Sequence, residues 1–215
     1  MSRKKTENSE EKSSGAELFS RAIVALKRGE VIVFPTETFY GLGADAFNGT
    51  AVEQVISLKG RNPEKPIPII VADREMLKSV VAEIPRIAQR LMDRFWPGPL
   101  TLVLPAKKNL PASLLNLDGG VGVRISSHPL ATQLARELGR PLTATSANPS
   151  GKEPARTIKE AMSYFSGRLE IFLDGGRLKG KKGSTVVEIV HGKLRIVREG
   201  EISSQELERA ISANP

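Results

Sequence analysis

The chain has 215 residues, 40% hydrophobic and 26% charged, the composition of one globular domain with a single core. It has no cysteine and only two histidines, which excludes a disulfide framework, a thiol nucleophile, a thiolate metal site and any site built from three histidines. Thirty-two Lys and Arg against 24 Asp and Glu leave a formal charge of +8, which favours an anionic partner such as RNA or a nucleotide phosphate.

Residues 1–14 are polar and of mixed charge, so they are expected to form a disordered tail ahead of a single domain over 15–215. The opening segment has no apolar stretch for a secretory signal, and no run of 18 apolar residues exists to span a membrane. A cytoplasmic location is the expectation. Apolar residues at helical spacing predict a helix over Ala16–Arg28, stopped by Gly29. Val31–Phe34 is a short, continuous apolar run, the pattern of a strand buried on both faces. A helix over Val52–Lys59 ends at Gly60. Then come a strand over Ile67–Ala72, helices over Asp73–Val81 and Pro85–Phe95, and a strand over Leu100–Leu104. Val121–Ile125 reads as a strand, Pro129–Leu138 as a helix closed by Gly139, and Leu142–Thr145 as a strand. A helix over Thr157–Phe165, a strand over Glu170–Leu173 and a hairpin of Ser184–Val190 with Lys193–Val197 turning at His191-Gly192 follow. Ser203 or Ser204 with Glu206 has the form of a cap for a last helix. Strands alternating with helices and ending in a hairpin define an α/β fold with a mixed sheet.

Two segments mimic nucleotide motifs. Gly41-Leu42-Gly43-Ala44-Asp45-Ala46 fits the dinucleotide spacing, but six residues separate it from the strand and no helix opens at its end. Gly175 to Lys181 fits the P-loop spacing, but Lys182 stands where a magnesium-binding hydroxyl is needed and a strand follows. Neither reading is kept.

The remaining polar segments have chemistry of their own. Pro35-Thr36-Glu37-Thr38 puts hydroxyls and a carboxylate at the end of a buried strand, the edge where open α/β sheets bind ligands; alone it also fits a turn closed by local hydrogen bonds. Lys59-Gly60-Arg61 ends a helix, either complementing the helix dipole or holding two cations against phosphates. Residues 143–151, TATSANPSG, lead a strand into hydroxyls and one amide, neutral donors suited to phosphate oxygens or simply a turn. Arg177, Lys179, Lys181 and Lys182 precede Gly183-Ser184-Thr185, a Gly-rich loop that a solvated charge run also explains. His128, before Pro129, is expected to cap or solvate a helix start.

Taken in order, PTETFYGLG (35–43), KGRNPEKPIPI (59–69), WPGPLTLVL (96–104), VGVRISSHP (121–129), TATSANPSG (143–151), GSTVVEI (183–189) and LRIVREG (194–200) resemble the YrdC-like threonylcarbamoyl-AMP synthase family. Any one is weak, but seven in one order are specific. The resemblance implies a twisted mixed sheet flanked by helices around a deep basic cavity. It implies conversion of L-threonine, bicarbonate and ATP, with magnesium, to threonylcarbamoyl-adenylate and pyrophosphate. The product would feed a threonylcarbamoyl transferase complex that modifies adenosine 37 of tRNA, and the basic face could touch RNA. By the same resemblance Lys59 and Arg61 are catalytic and, with Ser146, Asn148 and Arg198, bind ATP. Thr36, Arg124 and Ser184 bind threonine, with Arg124 on its carboxylate. Tyr40 and Thr101 would line the cavity, and Ile70 replaces a histidine of some longer relatives, giving a more apolar wall. No protein ligand for a metal is expected. The alternatives are a non-catalytic RNA-binding module and a divergent carbamoyl-transfer paralogue.

Overall fold

The computed structural model describes residues 3–60, 65–190 and 192–212, with side chains from residue 15 onward. In chain order the helices are α1 (Arg3–Lys27), α2 (Gly49–Lys59), α3 (Arg74–Val80), α4 (Arg86–Phe95), α5 (Pro129–Leu138), α6 (Ile158–Phe165) and α7 (Ser204–Ser212). The strands are β1 (Ile32–Pro35), β2 (Tyr40–Gly43), β3 (Ile69–Ile70), β4 (Leu100–Pro105), β5 (Gly120–Arg124), β6 (Leu142–Thr143), β7 (Thr145–Ser146), β8 (Thr185–Val190) and β9 (Lys193–Arg198). They form a three-stranded sheet, β1-β2-β7, and a six-stranded sheet, β6-β3-β5-β4-β8-β9. The larger sheet is mixed, since β3 with β5 and β4 with β8 run parallel while its other pairs are antiparallel.

Helix boundaries follow local chemistry. Asn48 caps α2 by accepting from Ala51 N, and Gly60 closes it in the left-handed conformation at φ 57°. Thr157 and Glu160 form a reciprocal capping box on α6. His128 caps α5, its Nδ1 accepting from Leu130 N at 3.3 Å. Helix α1 starts at Arg3, within a stretch free of proline whose lysines and glutamates favour helix intrinsically.

The strands separate two apolar layers. On one side Ile32, Phe34 and Ile70 pack with Ala22 and Leu26 of α1 and Leu134 and Leu138 of α5. On the other, Val33 and Ile69 pack with residues of α2, α4, α6 and α7. Alternate residues of β1 therefore feed opposite cores, which is why its sequence is apolar without interruption.

Three expectations needed correction. Residues 40–43, given no element from the sequence, are β2. Phe34 lies across this strand: a Cβ at Gly43 would come within 2.7 Å of its ring, so glycine is what permits the packing. The predicted strand Leu142–Thr145 is two strands, because β6 pairs with β3 in the large sheet and β7 with β2 in the small one. At the crossing, Thr143 Oγ1 donates to Leu42 O and accepts from Ala44 N. Glu170–Leu173 reaches β1 through a single parallel bridge, Val33 with Phe172. The terminal hairpin forms with Val190 opposite Lys193; His191 at its turn lies outside the described residues.

Candidate functional site

A cavity of about 240 Å3 opens where the turn after β1, the end of β5, the β7 loop and the start of β8 meet. Of the residues expected to bind ligand, Thr36, Arg124, Ser146, Ser184 and Arg198 line it, as does Tyr40. Its charged lining is Arg124 and Arg198 with the carboxylate of Glu199.

Lys59 approaches this cavity from behind. It is the last residue of α2 and only 5% exposed. Its Nζ donates to Ser146 O (2.8 Å) and Asn148 O (3.0 Å), and reaches Ser146 Oγ (3.2 Å) and Asn148 Oδ1 (3.1 Å). Ser150 N donates back to Lys59 O at 2.7 Å. The helix end and the 146–150 loop are thus cross-linked. Asn148 Nδ2 donates to Pro149 O and Lys152 O, which holds the loop closed. Arg61 lies outside the described residues.

Arg124 ends β5, where its carbonyl accepts from Val71 N at 3.0 Å. Its Nε lies 3.1 Å from Glu37 Oε1, with side chains 5% and 11% exposed. The angle of this approach is not that of a hydrogen bond, so the contact is a buried ion pair. Ser126 Oγ donates to the other oxygen, Glu37 Oε2, in a short contact, and accepts from His128 N. Burial lowers the His128 imidazole below its usual 6.5, against the pull of the nearby Glu37 carboxylate.

The Thr36 hydroxyl is largely used by its own turn: it donates to Phe39 O at 2.7 Å and accepts from Thr38 N and Phe39 N. Ser184 Oγ lies 2.9 Å from Thr101 Oγ1, and Arg198 Nη2 donates to Ser184 O at 2.7 Å. Thr101 is buried behind Ser184 and meets the cavity through it. Tyr40 OH donates toward Gly176 O (2.7 Å) and Asp174 Oδ1 (2.9 Å) and accepts from Gly175 N (3.0 Å). Burial, with the Asp174 carboxylate, pushes this phenol well above its usual range, so Tyr40 latches the 174–176 loop rather than exchanging protons. The same loop presses on the end of β1, where a Cβ at Gly175 would come within 2.6 Å of the Pro35 ring.

Ile70 is not a cavity wall. It is fully buried in the core between α1 and α5. The apolar lining comes instead from Phe39, Pro68, Ala144 and Pro154, which sequence reasoning did not single out. Phe39 lies in PTETFYGLG and Pro68 in KGRNPEKPIPI, but nothing in either segment alone shows which residues face the cavity. Among the described residues no group of three or more His, Cys, Asp or Glu side chains converges to hold a metal.

A mixed α/β fold that opens a small cavity lined by arginines and hydroxyls at strand ends has the architecture in which α/β proteins hold small ligands. The chain belongs to the Sua5/YciO/YrdC domain family, described as telomere recombination, which matches residues 24–200. It is 38% identical over 205 residues to the threonylcarbamoyl-AMP synthase of Bacillus subtilis, covering 94% of this chain and 59% of that protein. To the threonylcarbamoyl-AMP synthase of Pseudoalteromonas translucida it is 38% identical over 176 residues, covering 80% of this chain and 94% of that protein. The crystal structure of Pyrococcus abyssi Sua5 complexed with L-threonine superposes with a TM-score of 0.86 at 36% identity, covering 90% of this chain and 57% of that one. The chain thus spans a little over half the length of the Bacillus and Pyrococcus proteins.

Proposed function

We propose that this chain is an L-threonylcarbamoyladenylate synthase, a nucleotidyltransferase that supplies the first intermediate of tRNA threonylcarbamoyladenosine. The observation that carries this reading is the convergence of Arg124, Ser184, Arg198 and Ser146 on one cavity, with Lys59 bonded behind Ser146. The relatives' activity and the threonine complex of Pyrococcus abyssi Sua5 support it.

In the proposed reaction the amine of threonine adds to bicarbonate, losing water to give a carbamate. A carbamate oxygen then attacks the α-phosphate of ATP, forming a P–O bond as the bond to pyrophosphate breaks. The attacking oxygen is already anionic, so no enzyme nucleophile is needed. Acceleration comes from alignment and from cations where charge develops. Arg124 takes the threonine carboxylate, the position for which a planar fork is suited. Lys59 and Arg61 act on the phosphates, with Ser146 and Asn148 offering neutral contacts and Arg198 facing ATP. Ser184 contacts the threonine; Thr36 contributes mainly by shaping the turn beneath it. Magnesium accompanies the nucleotide phosphates as part of that substrate. A cavity near the lower end of ligand-pocket volumes, about 300 Å3, accommodates the amino acid and leaves the nucleotide to extend through its open side.

Residues 15–215 act in this reading as one catalytic unit in the cytoplasm. Among the described residues no helix is long and apolar enough to cross a membrane. The adenylate passes to a threonylcarbamoyl transferase complex, and the cations Arg177, Lys179, Lys181 and Lys182 are the surface that would meet RNA. Pyrophosphate release should require ATP, bicarbonate and L-threonine together. Release at the same rate with no amino acid present overturns the assignment.

A further inference from the structure

We infer that Glu37 is a positioning residue: it fixes the rotation of the Arg124 guanidinium so that its outer edge faces the amino-acid carboxylate. This rests on the proposed function, in which Arg124 receives that carboxylate. Both ends of the pair stand on rigid backbone. Arg124 is held in register by β3, with Ile70 opposite it and Val71 N bonded to its carbonyl. Glu37 sits inside the turn that the Thr36 hydroxyl closes onto Phe39. What the backbone does not fix is the rotation of the guanidinium, whose long side chain has several rotamers to lose.

Glu37 removes that freedom. Its Oε1 lies against Nε, the inner nitrogen of the guanidinium, while Arg124 lines the cavity. An ion pair at this inner nitrogen leaves the outer Nη donors for a second carboxylate. The other oxygen of Glu37 is held by Ser126 Oγ, which the backbone N–H of His128 anchors in turn. A chain therefore runs from the start of α5 through Ser126 and Glu37 to Arg124. The negative charge of Glu37 also compensates the buried arginine before substrate arrives. Glu37 does not itself line the cavity, so its effect on substrate passes through Arg124.

The test is steady-state pyrophosphate release by wild type, Glu37→Gln and Ser126→Ala, varying threonine and ATP separately. Glu37→Gln preserves shape but loses the charge, and should raise the threonine KM about 10- to 100-fold, the scale of a misaligned substrate contact. The ATP KM should change by less than about twofold, since the pair touches only the amino-acid end. Ser126→Ala should shift the threonine KM in the same direction by a smaller factor, keeping the test open should Glu37→Gln fold poorly. An unchanged threonine KM in either folded variant overturns the inference while leaving the function intact. Equal rises in both KM values also overturn it, because they mark a general structural role. A wild-type protein with no threonine-dependent release overturns the functional reading, and the inference falls with it.

Discussion

At one corner of the cavity Lys59 Nζ lies within 3.2 Å of four neutral oxygens of residues 146 and 148; at the other, Arg124 meets the full charge of Glu37. Both cations are almost completely buried. The lysine is held by a loop that wraps around it, so it does two jobs, joining α2 to the β7 loop and placing a point charge beside Ser146. The arginine is ion-paired to one carboxylate at its inner nitrogen, which sets direction more than it ties elements together. A compact ammonium suits multiple oxygens arriving from several sides, whereas a planar fork suits a ligand approached from one.

If this contrast is right, Lys59→Ala has the largest effect and acts on both activity and stability. Turnover should fall about 10²-fold or more, the scale of a lost preorganised charge. Unfolding free energy should fall by about 1–3 kcal/mol, because the oxygens of residues 146 and 148 lose their buried donor. Denaturant titration beside pyrophosphate kinetics checks both; unchanged stability would dissolve the distinction between the two corners.

Arg124→Lys should act on one substrate only. Exchanging the fork for a point charge forfeits about 1.5–3 kcal/mol of charge-assisted bonding, roughly 10- to 150-fold in the threonine KM. The ATP KM should stay near its wild-type value, and equal rises would move Arg124 away from the amino-acid end.

A finer test concerns the apolar lining. Threonine should be used better than serine by about 10- to 200-fold in kcat/KM, the range for one methyl in an apolar pocket. Ile70→Val should leave that ratio unchanged while costing about 0.5–1.5 kcal/mol of stability, since Ile70 belongs to the core and not to the cavity. A ratio that changes with Ile70→Val would contradict the position of the side chain.

The smallest effect expected is on pH. Burial keeps His128 below 6.5 in the folded chain, so between that lowered value and 6.5 the unfolded chain binds more protons. Stability should therefore drop as pH falls through this window. His128→Asn keeps an N-cap acceptor and should flatten that drop. Comparing Tm at about pH 7.5 and pH 5 for both proteins measures it.

Much of this was legible beforehand where the signal is local. Gly60, Gly139 and the Ser203–Glu206 cap mark helix ends through backbone geometry and short-range hydrogen bonds, and the structure has them as read. Lys59, Ser146 and Asn148 were grouped through the order of motifs, and the fold brings them within hydrogen-bond distance. Glu37 was visible as a carboxylate at a strand edge, but its partner stands 87 positions further on, so no local pattern could pair them.

The sequence by itself determined the apolar runs, the helix stops and the set of polar segments at strand ends, because these depend on residues within a few positions of one another. Only the tertiary structure decided that Leu142–Ser146 splits between two sheets, since β6 and β7 take their hydrogen bonds from strands distant in the chain. It likewise placed Ile70 in the core and Phe39, Pro68, Ala144 and Pro154 around the cavity. An apolar side chain carries no mark of which surface it will face. That choice is made by packing, when α1 and α5 cover one side of the sheets and leave the strand ends open.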